Sequence, residues 1–464
     1  MLRATTAIAL IALTGTAQAQ DGEIVTKQYE DGGVYEGTFT DGKQDGTGTY
    51  QLPNGYEYSG DWVMGEIRGE GTAQFPDGSV YEGSFVSGKP DGQGRITYGD
   101  GATYEGTWAA GVIQGKGVAT YPDGSRYDGE FRNGRRHGRG RLETAQGYVY
   151  EGGWLDGVQS GQATITYADG STYTGTMQAG VQEGEGRRET AGGLVYEGTW
   201  SGGKMTGTGT LTLPSGDVYS GPVVDGQRQG DGRMDYADGG AYAGGFNADL
   251  REGKGRLTRP DGYVYDGDWV AGRIEGDGRV VYPDGAVYEG QLRDDLPAGR
   301  GKITYADGTT YVGGWKAGRI SGDGVVTHAN GATYEGTFAD GKREGQGVLT
   351  LQDGTVYDGT WVGGVREGTG TMSYPDGSVY TGGFANDRRH GTGTMTYADG
   401  ATYEGNWVEG RIEGEGTATY ANGDVYTGLF ADGVREGQGT LRYASGAKDS
   451  GVWTDGALTA PSGG

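Results

Sequence analysis

Apolar and polar positions alternate along this chain in short runs separated by Gly, the period of two expected of strands with one buried face. In Tyr104-Glu105-Gly106-Thr107-Trp108 the rings and the Gly fall on one side and the polar residues on the other. Gly115-Lys116-Gly117-Val118-Ala119-Thr120-Tyr121 reads the same way, with Gly, Gly, Ala and Tyr on one face. Asp123-Gly124 then opens the next pair of strands. Asp-Gly suits a two-residue hairpin turn, in which both central residues take positive φ. Within a pair, the strands are expected to join through a longer loop from Gly111 to Gly115.

Aligned on Tyr-x-Gly, the pattern recurs every 23 residues from Tyr35 to Tyr426 without insertion or deletion, and a nineteenth copy follows with Asp449 at the Tyr position. All 9 Trp, and seven of the 8 Phe, lie four residues after that position. Gly and Pro fill about a quarter of the chain, a share that suggests disorder when it is aperiodic. Here five positions of the repeat hold 89 of the 103 Gly, so the Gly content is a spacing rule. Collagen is excluded because Gly does not recur every third residue.

These features predict an all-β fold, an elongated single-layer antiparallel meander of about 19 hairpins. At the usual strand spacing it would extend roughly 180 Å if the sheet stays open. One hairpin is marginal alone, so stability is expected as a sum over neighbouring units. The Gly two residues after each Tyr is expected to leave room for a neighbouring unit's ring. Residues 20–34 read as a leading half-repeat, 35–456 as the array and 457–464 as a tail that departs from the pattern. Trp recurs every 46 residues from Trp62 to Trp200, then skips to Trp269, with Val223 and Phe246 at the intervening ring positions. This slip, with Pro222 after Gly221, suggests a joint near residues 215–250.

The unit Tyr-Glu-Gly-Thr-Trp/Phe-x-x-Gly-x-x-x-Gly-x-Gly, closed by Asp-Gly, resembles the MORN repeat (membrane occupation and recognition nexus) across roughly residues 29–456. The resemblance implies a single-layer β array serving as a scaffold, a dimerisation module or a lipid-contacting surface. The family's Lys-x-His is replaced in most units. Only Arg135-Arg136-His137 and Arg388-Arg389-His390 keep its His, so a role for that position does not extend along the array.

The first nineteen residues carry a leader pattern: Met1-Leu2-Arg3, an apolar stretch from Ala7 to Leu13, and Ala17-Gln18-Ala19. Cleavage is expected after Ala19, giving a periplasmic or secreted protein. No later run approaches eighteen consecutive apolar residues, so no transmembrane segment is expected after cleavage.

Charge narrows the partners. The chain has 38 Lys plus Arg against 63 Asp plus Glu, a formal charge of -25. Phosphate binding needs a basic footprint, so no nucleic-acid partner is expected. With 0 Cys there are no disulfides, thiolate metal sites or cysteine nucleophiles. The segments between the two loop Gly positions nevertheless hold 17 basic against 10 acidic residues, and the opposite rim carries Asp at twelve first-turn positions. A mildly basic rim suits contact at several points along its length. Arg135, Arg136, His137, Arg388, Arg389 and His390 are its candidate partner-binding residues, whereas Tyr104, Trp108, Tyr265, Trp269, Tyr403 and Trp407 represent a structural aromatic stack.

Catalytic motifs do not emerge. No Gly-Lys precedes Ser or Thr as in a phosphate-cradling loop. Carboxylates such as Glu36, Glu82, Glu105 and Glu151 recur at one repeat position, whereas a general acid and base need unlike environments. His137, His328 and His390 are too widely spread for a shared metal site, and no cofactor is expected. The sequence thus points to a non-catalytic secreted or periplasmic scaffold for protein–protein interaction, assembly or self-association. Peripheral binding to anionic membrane lipids through the basic rim is the alternative, and an envelope glycan-acting enzyme a lesser one.

Overall fold

The computed structural model describes residues 23–462, so the leader and its expected cleavage after Ala19 lie outside the described residues. The chain divides into two compact units at Ala237 and Asp238, inside the segment where the Trp period slips. Among the described residues every regular element is a β-strand. Within each unit the strands form an antiparallel meander, as in the series Lys89–Thr97, Thr103–Ala109, Val112–Thr120 and Arg126–Arg132. The all-β reading and its hairpin repeat stand.

The two kinds of turn are exchanged relative to expectation. Thr103–Ala109 and Val112–Thr120 join through Ala110 and Gly111 alone, with φ of 49° and 85°. Both residues are left-handed, the condition for a tight hairpin turn whose twist matches the strands. The stretch expected as a loop from Gly111 to Gly115 is therefore mostly strand. Asp123-Gly124 belongs to the longer connection. Gly124 N donates to Tyr121 O at 2.9 Å, Tyr121 N donates to Ser125 O at 2.8 Å, and only Gly124 of the two turn residues has positive φ. This is a type I turn followed by a left-handed Gly, the three-residue hairpin loop. Pro122 presets its first turn residue, and Asp123 Oδ1 accepts a 2.9 Å bond from Ser125 N.

The second strand of each hairpin is bulged. Gly106 pairs with Gly117 and Trp108 with Ile113, so Thr107 faces Gln114, Gly115 and Lys116 together. Gly115 has a φ of 71°, which serves the bulge.

The core is the ring-bearing face. Tyr104 is 0% exposed, and a Cβ placed on Gly117 would stand 2.5 Å from its ring. The space left by the Gly pair is thus filled by the unit's own Tyr, not by a neighbour's ring as expected. Its hydroxyl donates to Thr107 O at 3.1 Å. Lying flat over its own hairpin, this ring presents an edge to each side, and the next large residues pack there. Trp108 meets Tyr104 at 5.6 Å and Tyr81 of the preceding hairpin at 5.2 Å, both edge to face. Such pairs contribute about 0.5–1.5 kcal/mol beyond their buried area. Trp108 Nε1 also donates to Gly94 O at 3.3 Å, and Trp269 Nε1 to Gly255 O at 3.2 Å. The zipper recurs in the second unit, where Trp407 meets Tyr403 at 5.5 Å and Tyr380 at 5.1 Å.

At the first end, Val25–Gln28 pairs with the strand Val34–Thr40. At the other, Ala457–Pro461 pairs with Lys448–Thr454. The first part of the tail thus completes the nineteenth hairpin instead of departing from the pattern. Near the Trp slip, Pro222 lacks an N–H, and the opposite strand is split into Gln227–Arg228 and Gly230–Asp235.

Candidate functional site

Strand alternation continues through the tight turns, and this decides where the predicted contact residues point. Arg136 pairs with Phe131, so its side chain lies on the ring face. Its guanidinium carbon stands 4.3 Å from the Trp154 ring and 5.7 Å from Tyr127. Arg389 repeats this over Trp407 at 4.1 Å, and its Nη2 donates to Gly410 O at 2.9 Å. Both are half-buried members of the core.

His137 has a different use. Its Nδ1 lies 3.4 Å from the backbone N of Asp156, the first residue of the next tight turn. Gln114 Oε1 accepts the equivalent bond from Asn133 N at 3.0 Å, Glu252 Oε2 from Ala271 N at 2.8 Å, and Glu344 Oε2 from Gly363 N at 2.9 Å. The third residue of the segment thus ties successive turns together along the rim. Arg135, Arg388 and His390 are exposed, with Arg388 Nη1 3.2 Å from Glu409. Three of the six predicted residues therefore serve the array itself, and the basic rim offers less free charge than its composition suggests.

The six stack residues are brought together as pairs. Tyr104 with Trp108, Tyr265 with Trp269, and Tyr403 with Trp407 meet at 5.6, 5.4 and 5.5 Å. Burial is the leading cause that pushes the Tyr104 and Tyr403 phenols up to about 12. These groups stay protonated at any physiological pH and act as fixed hydrogen-bond donors.

The opposite face is polar and open. Thr371 and Thr381 approach at 3.2 Å across adjacent strands, as do Thr417 and Thr427, while Arg187 Nε meets Glu197 at 2.8 Å. In the second unit this face forms a trough of about 910 Å³, lined by Thr381, Thr394, Glu404, Thr417, Thr427 and Gln438. Sequence reasoning named none of these residues, although the alternation that buries Tyr403 and Trp407 assigns Glu404 to this side. No group of three metal-ligating side chains occurs among the described residues. The paired groups of the trough supply hydrogen-bond donors and acceptors, along with the negative charge of Glu404.

A family model described as the MORN repeat matches seventeen segments, from residues 35–55 to 426–448, and skips the unit that begins at Tyr173. No curated protein matches the chain. Among solved structures, the TCP domain of SAS-4 of Drosophila melanogaster, in complex with a proline-rich motif of Ana2, is similar at 16% identity and a TM-score of 0.23, covering 38% of this chain and 90% of that one. The wild-type TCP10 domain of Danio rerio CPAP is similar at 17% identity and a TM-score of 0.20, covering 46% of this chain and 90% of that one. Virginiamycin B lyase from Staphylococcus aureus, a catalytically inactive variant with quinupristin, is similar at 11% identity and a TM-score of 0.11, covering 66% of this chain and 90% of that one. At these TM-scores the likenesses carry no argument.

Proposed function

Because the chain belongs to the MORN repeat family, whose model matches most of its length, we propose that it is a non-catalytic scaffold that binds a protein partner across its polar face. The observation that carries this reading is the division of labour between the faces. Most of the ring face is filled by the Tyr–Trp zipper and its arginines, while the polar face keeps a wide trough lined by Thr, Glu and Gln. A surface of paired hydroxyls and amides, few of them committed to the fold, suits an interface of many modest hydrogen bonds.

Binding to anionic membranes through the basic rim gains less support. Arg136 and Arg389 are turned inward, Arg388 faces Glu409, and the chain as a whole is strongly acidic. The leader pattern supports action in the periplasm or outside the cell, where the mature protein would begin at Gln20. Cell fractionation with N-terminal sequencing tests that location, and retention of Met1 in the cytoplasm would refute it. For the partner, the mature chain carrying a photoreactive side chain at Thr417 is irradiated in cells. A specific protein adduct is expected; an adduct with lipid alone would overturn the reading.

A further inference from the structure

Beside Arg259 the ring face of the second unit opens into a cleft of about 360 Å³, within the size range of small-ligand sites. The repeat departs from its pattern around this cleft. Arg259 stands where the next two units carry Tyr282 and Tyr305. Tyr263 stands where the next unit has Ala286. Asp295 replaces the usual Gly of a tight turn, at a φ of 66°.

These departures assemble a chemically mixed wall. Tyr263 and Tyr282 meet edge to face at 6.2 Å, and the exposed Leu296 adds apolar surface. The Arg259 guanidinium lies 4.6 Å over the Tyr263 ring and makes no ion pair with a described residue. Asp295 also lines the cleft, and its Oδ1 accepts a 2.8 Å bond from Ile274 N. Arg offers only donors, and an ionised Asp only acceptors.

That pairing selects the ligand's chemistry. Arg251, the second guanidinium of the lining, is held 4.6 Å over the Trp269 ring, and a simple carboxylate would satisfy Arg259 but offer no donor to Asp295. An unsubstituted apolar ring would cover the tyrosines and strip water from both charges without replacing it. A polyhydroxylated ring supplies acceptors for Arg259, donors for Asp295 and apolar C–H edges for the Tyr rings. We propose that this cleft binds a pyranose ring of a carbohydrate, a role that goes beyond the protein-binding reading and uses the opposite face.

The test is titration calorimetry of the full chain with cellotriose, chitotriose and benzoate. At least one saccharide is expected to bind saturably, and Arg259→Leu and Tyr282→Leu are each expected to weaken it by about tenfold or more, the loss of one good contact. Leu already occupies the equivalent loop position at residues 213 and 351, so the array tolerates it there. Tyr420→Leu, at the same repeat position outside the cleft, should leave binding unchanged, and melting curves should match for all three variants. The proposal is overturned if no saccharide saturates, if benzoate alone binds, or if both cleft variants bind sugar as tightly as the parent chain.

Discussion

Arg389 and Trp407 belong to successive hairpins, yet the guanidinium carbon of one stands 4.1 Å from the ring centroid of the other. The same contact joins Arg136 to Trp154, Arg251 to Trp269, Arg343 to Trp361 and Arg435 to Trp453, at 4.3 to 4.8 Å. In each case the Arg comes from a hairpin whose own ring position holds Phe, and it covers the Trp of the next. Several Trp hairpins instead carry Ile opposite the indole, as in Trp108 with Ile113 and Trp407 with Ile412. At Trp62, Trp108, Trp200 and Trp315 the equivalent position of the preceding hairpin holds Gln44, Pro90, Gln182 and Pro297 instead, so the pairing of hairpins is closed by Arg at five of the 9 Trp.

Arg389→Ala should therefore lower stability by about 1–2 kcal/mol, the value of a partly desolvated cation–π contact. Arg388→Ala, exposed one position earlier, should change it by less than about 0.5 kcal/mol. Urea unfolding of the two variants separates them, and equal effects would contradict the inward placement of Arg389.

Gly117→Ala places a methyl 2.5 Å from the Tyr104 ring, which is held between its own hairpin and Trp108. The ring has nowhere to move, so a loss of about 3 kcal/mol is expected, at the upper end for overpacking. At Gly101, nothing stands within 4 Å of an added Cβ, but φ is 89°. Gly101→Ala should then cost only the left-handed penalty of about 1–2 kcal/mol. Thermal denaturation orders the two variants, and the reverse order would refute the ring-over-Gly packing.

Ala271 opens a tight turn at a φ of 48°. Relief of that strain by Ala271→Gly should stabilise the chain by up to about 1 kcal/mol, net of the entropy Gly adds to the unfolded state. A lower melting temperature for the variant would place this residue in another turn type.

The tyrosines make stability depend on alkaline pH. Tyr104 and Tyr403 move from the ordinary 10.0 to about 12, chiefly through burial. Between those values the unfolded chain loses its phenolic protons while the folded chain keeps them, so stability falls as pH rises through the window. Below pH 10 these groups bind equally in both states and contribute no slope. Urea midpoints measured from pH 8 to 12 should be flat as far as these groups are concerned and then drop; a rise above pH 10 would contradict buried, protonated phenols.

Much of this architecture was legible because the repeat fixes parity. Once Tyr104, Gly106 and Trp108 share a face, the buried side of the strand follows, and identical spacing carries it along the array. The turns were misassigned for a local reason: Asp-Gly favours the tight hairpin turn statistically, but Pro122 before it presets a type I turn, and Ala110-Gly111 meets the same φ requirement with a weaker signature. Reading Gly111 to Gly115 as a loop also hid the inward direction of Arg136, which strand alternation would have given. The trough around Thr417 was not legible, since it is formed by side chains of several strands lying side by side. Nor was the cleft beside Arg259, where Arg259 and Tyr263 depart from the residues of the next unit, Tyr282 and Ala286, without disturbing the 23-residue period.

The central claim is that the polar face binds and the ring face holds the array together. Photocrosslinking in cells, with the reactive side chain moved in turn among Thr394, Thr417, Arg388 and Arg135, tests it most directly. The account predicts that Thr394 and Thr417 give the same protein adduct while Arg388 and Arg135 give little of it. Strong adducts from the two rim arginines, with none from the trough, would contradict it.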